Sequence, residues 1–143
     1  MSLVNSPPPA SPKSTPSILP SHPSWKRADR ALRCSPFQLS LFIAMRSQSI
    51  PLAAMSAPAG VTIGYTRNPL TELRAENSLL WLIQVGLLRR EVDGQGITDR
   101  FRLTPLGRNI VEHWEQKLGE LPPASFGDRL RNFIDRLIPG FLR

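Results

Sequence analysis

Arg100 and Arg102 stand two residues apart in Thr98-Asp99-Arg100-Phe101-Arg102-Leu103. In an extended strand that spacing puts both guanidinium groups on one face and Phe101 and Leu103 on the other. A planar, permanently charged guanidinium grips phosphate or guanine through two parallel hydrogen bonds, so the chemistry expected here is polyanion binding. Arg89 and Arg90, just after Gly86, divide between a nucleic-acid contact and solvated charges favoured by a helix end. Catalysis has no comparable constellation. His22 and His113 lie far apart, Cys34 is the one cysteine, and Glu72 with Glu76 has no histidine or second carboxylate pair beside it. No glycine loop precedes a helix in the phosphate-cradling pattern, and no metal-ligand spacing occurs. The sequence therefore predicts no enzyme activity, no metal and no cofactor.

Elements must hold those arginines. Leu87–Val92 and Thr98–Leu103 read as strands joined across Asp93-Gly94-Gln95-Gly96, whose glycines supply positive φ. Gly86 reads as the left-handed cap of the preceding helix. That helix is expected to begin at Asn68-Pro69, a capping side chain before a proline at the first position, with Glu72 in the first turn. Leu70, Leu73, Leu80, Ile83 and Leu87 mark its inner side, and Thr71, Glu72, Arg74, Ala75 and Ser78 are expected outward. Thr104-Pro105 caps the next helix, with Leu106, Ile110, Trp114 and Leu118 inward, and Gly119 with Pro122-Pro123 stops it. Trp81 and Trp114 read as core or dimer-interface aromatics.

Upstream, a short helix is expected from Ser24-Trp25 through Arg33. Ser35, Pro36 and Gln38 then form a capping box for a central helix marked by Phe37, Leu41, Ala44 and Met45. Ser49–Met55 reads as one or two helical turns ending before Pro58 and Gly60, and residues 61–68 as a loop. Downstream, Phe126–Ile138 forms a two-faced helix: Phe126, Leu130, Phe133, Ile134, Leu137 and Ile138 on one side, Asp128, Arg129, Arg131, Asn132, Asp135 and Arg136 on the other. Such a helix packs back on its domain, pairs with its twin in a homodimer, or lies on an anionic membrane. Asp128 and Asp135 dilute the positive face that a membrane would need.

A chain of 143 residues holds one domain of about 100 residues plus tails. Seven prolines and seven serines crowd residues 1–24, and a segment with so little apolar surface cannot offset its ordering entropy. The expected organisation is a disordered tail over 1–24, a folded domain over 25–119, and a linker with the two-faced helix over 120–143. The net charge of +7 is concentrated in residues 1–70, where seven cations face only Asp29. A polyanionic partner is the reading, double-stranded DNA first. The single cysteine fits a reducing compartment, and Cys34 reads as a small buried filler. No apolar run is long enough to span a bilayer, and residues 1–24 lack a secretory apolar core, so the expected location is cytoplasmic, with an organelle address only for a photosynthetic eukaryotic source.

The string LIQVGLLRRE…RFRLTPLGRNIVEHW resembles the winged-helix family of transcriptional regulators, of the multiple-antibiotic-resistance and phenolic-acid-response types, over roughly residues 35–118. The resemblance implies a mainly α fold with a small β-hairpin wing, a winged helix-turn-helix, in which the helix before the glycine enters the major groove. By that likeness Thr71, Arg74, Ala75 and Ser78 would face bases, with Arg100 and Arg102 as wing contacts. Arg67, Arg89 and Arg90 complete the candidate DNA-binding set, and the apolar side of the last helix is the candidate dimer surface. The alternative is a winged-helix interaction module without DNA binding. Two features depart from the regulators: Gly60 to Gly86 is longer than their corresponding interval, and Glu72 and Glu76 lie where phosphates would approach. The signature RREVDGQGITD.FRLTPLGR also resembles a small family from oxygenic phototrophs, which implies no activity.

Overall fold

The computed structural model describes residues 18–138. The first seventeen residues of the expected tail therefore lie outside the described residues. Six helices and a small sheet follow in order: α1 (Pro23–Cys34), α2 (Leu39–Ala44), β1 (Ile50–Pro51), a 3-10 turn (Leu52–Ala54), α3 (Ala57–Ile63), α4 (Glu72–Gln84), β2 (Leu88–Asp93), β3 (Gly96–Leu103), α5 (Pro105–Lys117) and α6 (Phe126–Leu137). The sheet is antiparallel in the order β1-β3-β2. Helices dominate, and the β2–β3 hairpin forms the small wing.

The wing, the C-terminal end of α4 and the start of α5 form where the sequence puts them. Gly86 adopts φ +88 behind α4, a conformation that costs a glycine little. Thr104 caps α5 by accepting from Gly107 N at 3.0 Å, with Pro105 in the first turn, where its missing N–H is no loss. Of the two tip glycines only Gly96 has positive φ. Phe101 and Leu103 are buried, and they join Phe42, Leu41, Met45, Leu79, Leu82 and Ile110 in one core.

Upstream the local signals mislead in three places. Ser35 does not cap α2. Its hydroxyl donates to Leu32 O at 2.7 Å and closes α1, while Phe37 bridges to Thr66 and Gln38 N donates to Tyr65 O at 2.8 Å. Ile50-Pro51, expected within a helical turn, instead pairs with Phe101 and Arg100 as an edge strand, a place where proline is tolerated. The loop expected over 61–68 begins as helix: Pro58 sits in the first turn of α3, Gly60 lies inside it, and Gly64 at φ +96 ends it. Part of the apparent extra length before Gly86 is thus the last turn of α3.

The start of α4 is shifted as well. Leu70 bridges to Ala57, so Asn68-Pro69 stays outside the helix and Thr71 becomes the cap, accepting from Arg74 N at 3.1 Å. The inner face then carries Ala75, Leu79 and Leu82, while Leu73 is 68% exposed and Leu80 stands at the surface. Ala75, expected outward, is fully buried.

Gly107 rests directly on the Leu87 carbonyl, and an added Cβ would collide with that oxygen and crowd Leu103 Cδ2. Gly107→Ala is expected to destabilise the fold by about 1–3 kcal/mol, the range for a methyl forced into a packed site, read from urea denaturation midpoints.

Candidate functional site

The expected nucleic-acid residues divide among different partners and clefts. On β3 the side chains of Arg100 and Arg102 do share a face, but they turn apart. Arg100 Nε donates to Ser49 Oγ at 2.9 Å and an Nη to Ser49 O at 2.9 Å. Arg102 lies opposite Arg89 and is paired with Glu91 at 3.1 Å. Directly opposed arginines repel, and Glu91 beside them offsets that repulsion. Arg90 is on the inner face, its guanidinium 4.9 Å from the Phe101 ring centre and 3.5 Å from Glu76. Three of the four wing arginines are therefore engaged within the molecule, and Arg89 is exposed.

The rest of that side is weakly cationic. The hairpin tip, Asp93-Gly94-Gln95-Gly96, carries an acid and no cation, and Val92 and Ile97 beside it are exposed. On α4 the exposed residues are Glu72, Leu73, Arg74, Asn77, Leu80 and Gln84, with a single cation among them. Ala75 is in the core and cannot face a base. Ser78 is half-buried in a cleft of about 340 Å³ shared with Thr71, Arg74, Trp81 and two residues of α6. Arg67 and Arg74 line a separate groove with Arg129 and Glu120.

The unexpected feature is α6. Its polar side faces the domain and its apolar side faces outward. Trp81 Nε1 donates to Asn132 Oδ1 at 2.9 Å, an Arg136 Nη donates to Asn77 O at 3.4 Å, and Asp128 meets Arg33 at 2.6 Å. Arg33 also donates to Asp29 at 3.0 Å, and the buried Asp29 accepts from Trp114 Nε1. A continuous polar chain thus runs from α5 through α1 to α6. Opposite it, Phe126 is 81% exposed, Phe133 58%, Leu137 65%, and Leu130 and Ile134 are also at the surface; Ile138 is half-buried. The side-chain division was legible in the sequence, but the side used for packing was not. Complementary partners for Asp128, Asn132 and Arg136 lie far away in the chain, on α1 and α4.

The N-terminus of α6 is closed by a capping box. Ser125 Oγ accepts from Asp128 N at 3.0 Å, and Asp128 accepts in turn from Ser125 N at 3.1 Å. The Arg33 guanidinium holds the Asp128 carboxyl at about 2, below its ordinary 3.8. Partial burial pushes the neighbouring Cys34 thiol up, against the opposing pull of Arg129 and Arg33.

Because the folded Asp128 titrates below its unfolded value, its contribution is complete above pH 3.8 and is lost as pH falls toward about 2. Backbone hydrogen exchange of α6 is expected to accelerate over that window while α4 stays protected. Asp128→Asn, which keeps the cap acceptor but not the charge, is expected to speed α6 exchange at neutral pH and abolish the acid dependence.

The described residues contain no helix long and apolar enough to cross a membrane. No curated protein and no solved structure matches the chain. The Npun_F0494-like family matches residues 18–136, nearly all of the described structure. The chain belongs to the Npun_F0494-like family.

Proposed function

We propose that this protein is a winged-helix interaction module, a scaffold that presents α6 to a partner and does not read DNA. The observation that carries the proposal is the orientation of α6: it is tied down through Asp128, Asn132 and Arg136, with five large apolar side chains left outward. Burying such a row stabilises a complex at roughly 25 cal/mol per Å² of apolar surface, a gain the chain leaves unused when alone. The engaged wing arginines, the acidic tip and the buried Ala75 weigh on the same side.

The competing reading is a DNA-binding transcriptional regulator that dimerises through its last helix. It draws on the resemblance to winged-helix regulators, on the net charge, and on the groove shared by Arg67, Arg74 and Arg129. Two measurements separate the readings. In gel retardation on duplex DNA at about physiological salt, Arg74→Ala and Arg89→Ala are expected to leave the residual binding unchanged. Specific retardation that weakens about tenfold or more in either variant would overturn the module reading. In a Cys34→Ser background, Leu130→Cys and Phe133→Cys are expected to react with a thiol reagent at nearly the rate of the unfolded chain. Strong protection of both in the monomer would mean that the domain covers the face, and the proposal would fail.

A further inference from the structure

The outward side of α6 is bordered by arginines along both edges. Arg129 and Arg136 follow one edge of the apolar row, and Arg131 follows the other. Arg131, Ile134 and Ile138 share a groove with Arg27 and Arg30 of α1, so the second border continues onto the neighbouring helix. Arg129 shares the other groove with Arg67 and Arg74, where Glu120 is the one acid among the described lining residues. The two acids of α6 are directed to arginines: Asp128 to Arg33, and Asp135, in the same groove as Arg27 and Arg30, to Arg131 at 3.7 Å. The surface is therefore a convex apolar ridge between cationic margins, with its own acids withdrawn from the apolar side.

We infer that this ridge docks on an anionic lipid surface, with α6 lying in the interface plane, Phe126, Leu130, Phe133, Ile134 and Leu137 in the acyl boundary and the arginines at headgroup level. The inference rests on α6 being the presented element of the interaction module. Charge complementarity selects the occupant. A single apolar or a single basic signal holds a protein weakly to a membrane, and the two together hold it stably. Here both sit on one element. A second copy fits less well. The helix is about 18 Å long, so its face supplies a few hundred Å² against the ~800 Å² per partner of a stable interface. Two-fold pairing would also set arginine margins against arginine margins. Immediately beyond α6 the sequence runs Pro139-Gly140-Phe141-Leu142-Arg143, more residues of the same apolar and cationic kinds.

The full chain is mixed with vesicles of phosphatidylcholine alone or of phosphatidylcholine with an equal share of phosphatidylglycerol, then sedimented. Binding is expected only to the anionic vesicles, and is expected to fall steeply with added salt. Phe126→Ser/Phe133→Ser and Arg129→Gln/Arg131→Gln are each expected to weaken partitioning by about tenfold or more. All four positions are exposed, and unchanged circular dichroism and thermal midpoints check that the variants fold. Absence of binding to the anionic vesicles, or equal binding to both kinds, overturns the lipid assignment. A stable dimer by light scattering that Phe133→Ser dissociates also overturns it, in favour of a second copy. So does a purified acidic protein that binds the ridge while vesicles do not. In those cases rapid thiol labelling at positions 130 and 133 leaves the module reading standing. Protection of those positions in the monomer removes both.

Discussion

The Leu87 carbonyl is the point on which the winged half of the molecule turns. It accepts from Thr104 N at 3.1 Å, Thr104 Oγ1 lies 3.0 Å from it while donating to Gly86 O at 2.5 Å, and Gly107 packs against it. The same threonine oxygen caps α5. One carbonyl thereby joins the end of α4, the first residue before β2, the end of β3 and the first turn of α5. A side chain larger than hydrogen at position 107 would separate the helix from the strand. The run Leu-Thr-Pro-Leu-Gly is the one-dimensional trace of this joint: threonine for cap and donor, proline for the first turn, glycine for the close approach. With that junction set, Phe101 and Leu103 are held in the core and β3 receives the short β1 at its other edge.

A second constraint holds the outer helices. Asp29 is buried, and a buried carboxylate is tolerable only if its lone pairs are used. Trp114 and Arg33 use them, and Arg33 has donors left over for Asp128. The need to satisfy one buried charge on α1 thus supplies the anchor for α6. Trp81 and Asn132 add a second attachment on α4, and the Arg136 guanidinium lies 5.7 Å from the Trp81 ring centre. An amphipathic helix normally spends its apolar side on the core. Here polar attachments hold the helix instead, and the apolar side remains available.

This arrangement changes what the arginines say. Counted along the chain they suggest a nucleic-acid protein. In space, three of the four on the wing are held by Glu91, Glu76 and Ser49, while Arg129, Arg131 and Arg136 border the apolar ridge. The candidate surface consequently moves from α4 and the wing, where the resemblance to regulators places it, to α6.

The sequence by itself determined the elements whose signals are local: the glycine-ended α4, the alternating β3 with its buried Phe101 and Leu103, the Thr104-Pro105 cap, and the two chemically distinct sides of α6. These follow from side-chain periodicity, proline and glycine backbone preferences, and capping groups within a few residues. Tertiary structure decided the rest. It converted Ile50-Pro51 to a strand through β3, delayed α4 to Thr71 through the Leu70–Ala57 bridge, buried Ala75, and turned α6 with its apolar side outward. In each case the deciding partner is distant in sequence. A backbone group takes whichever hydrogen bond the assembled fold offers, and a helix face is covered only if a matching surface is brought to it.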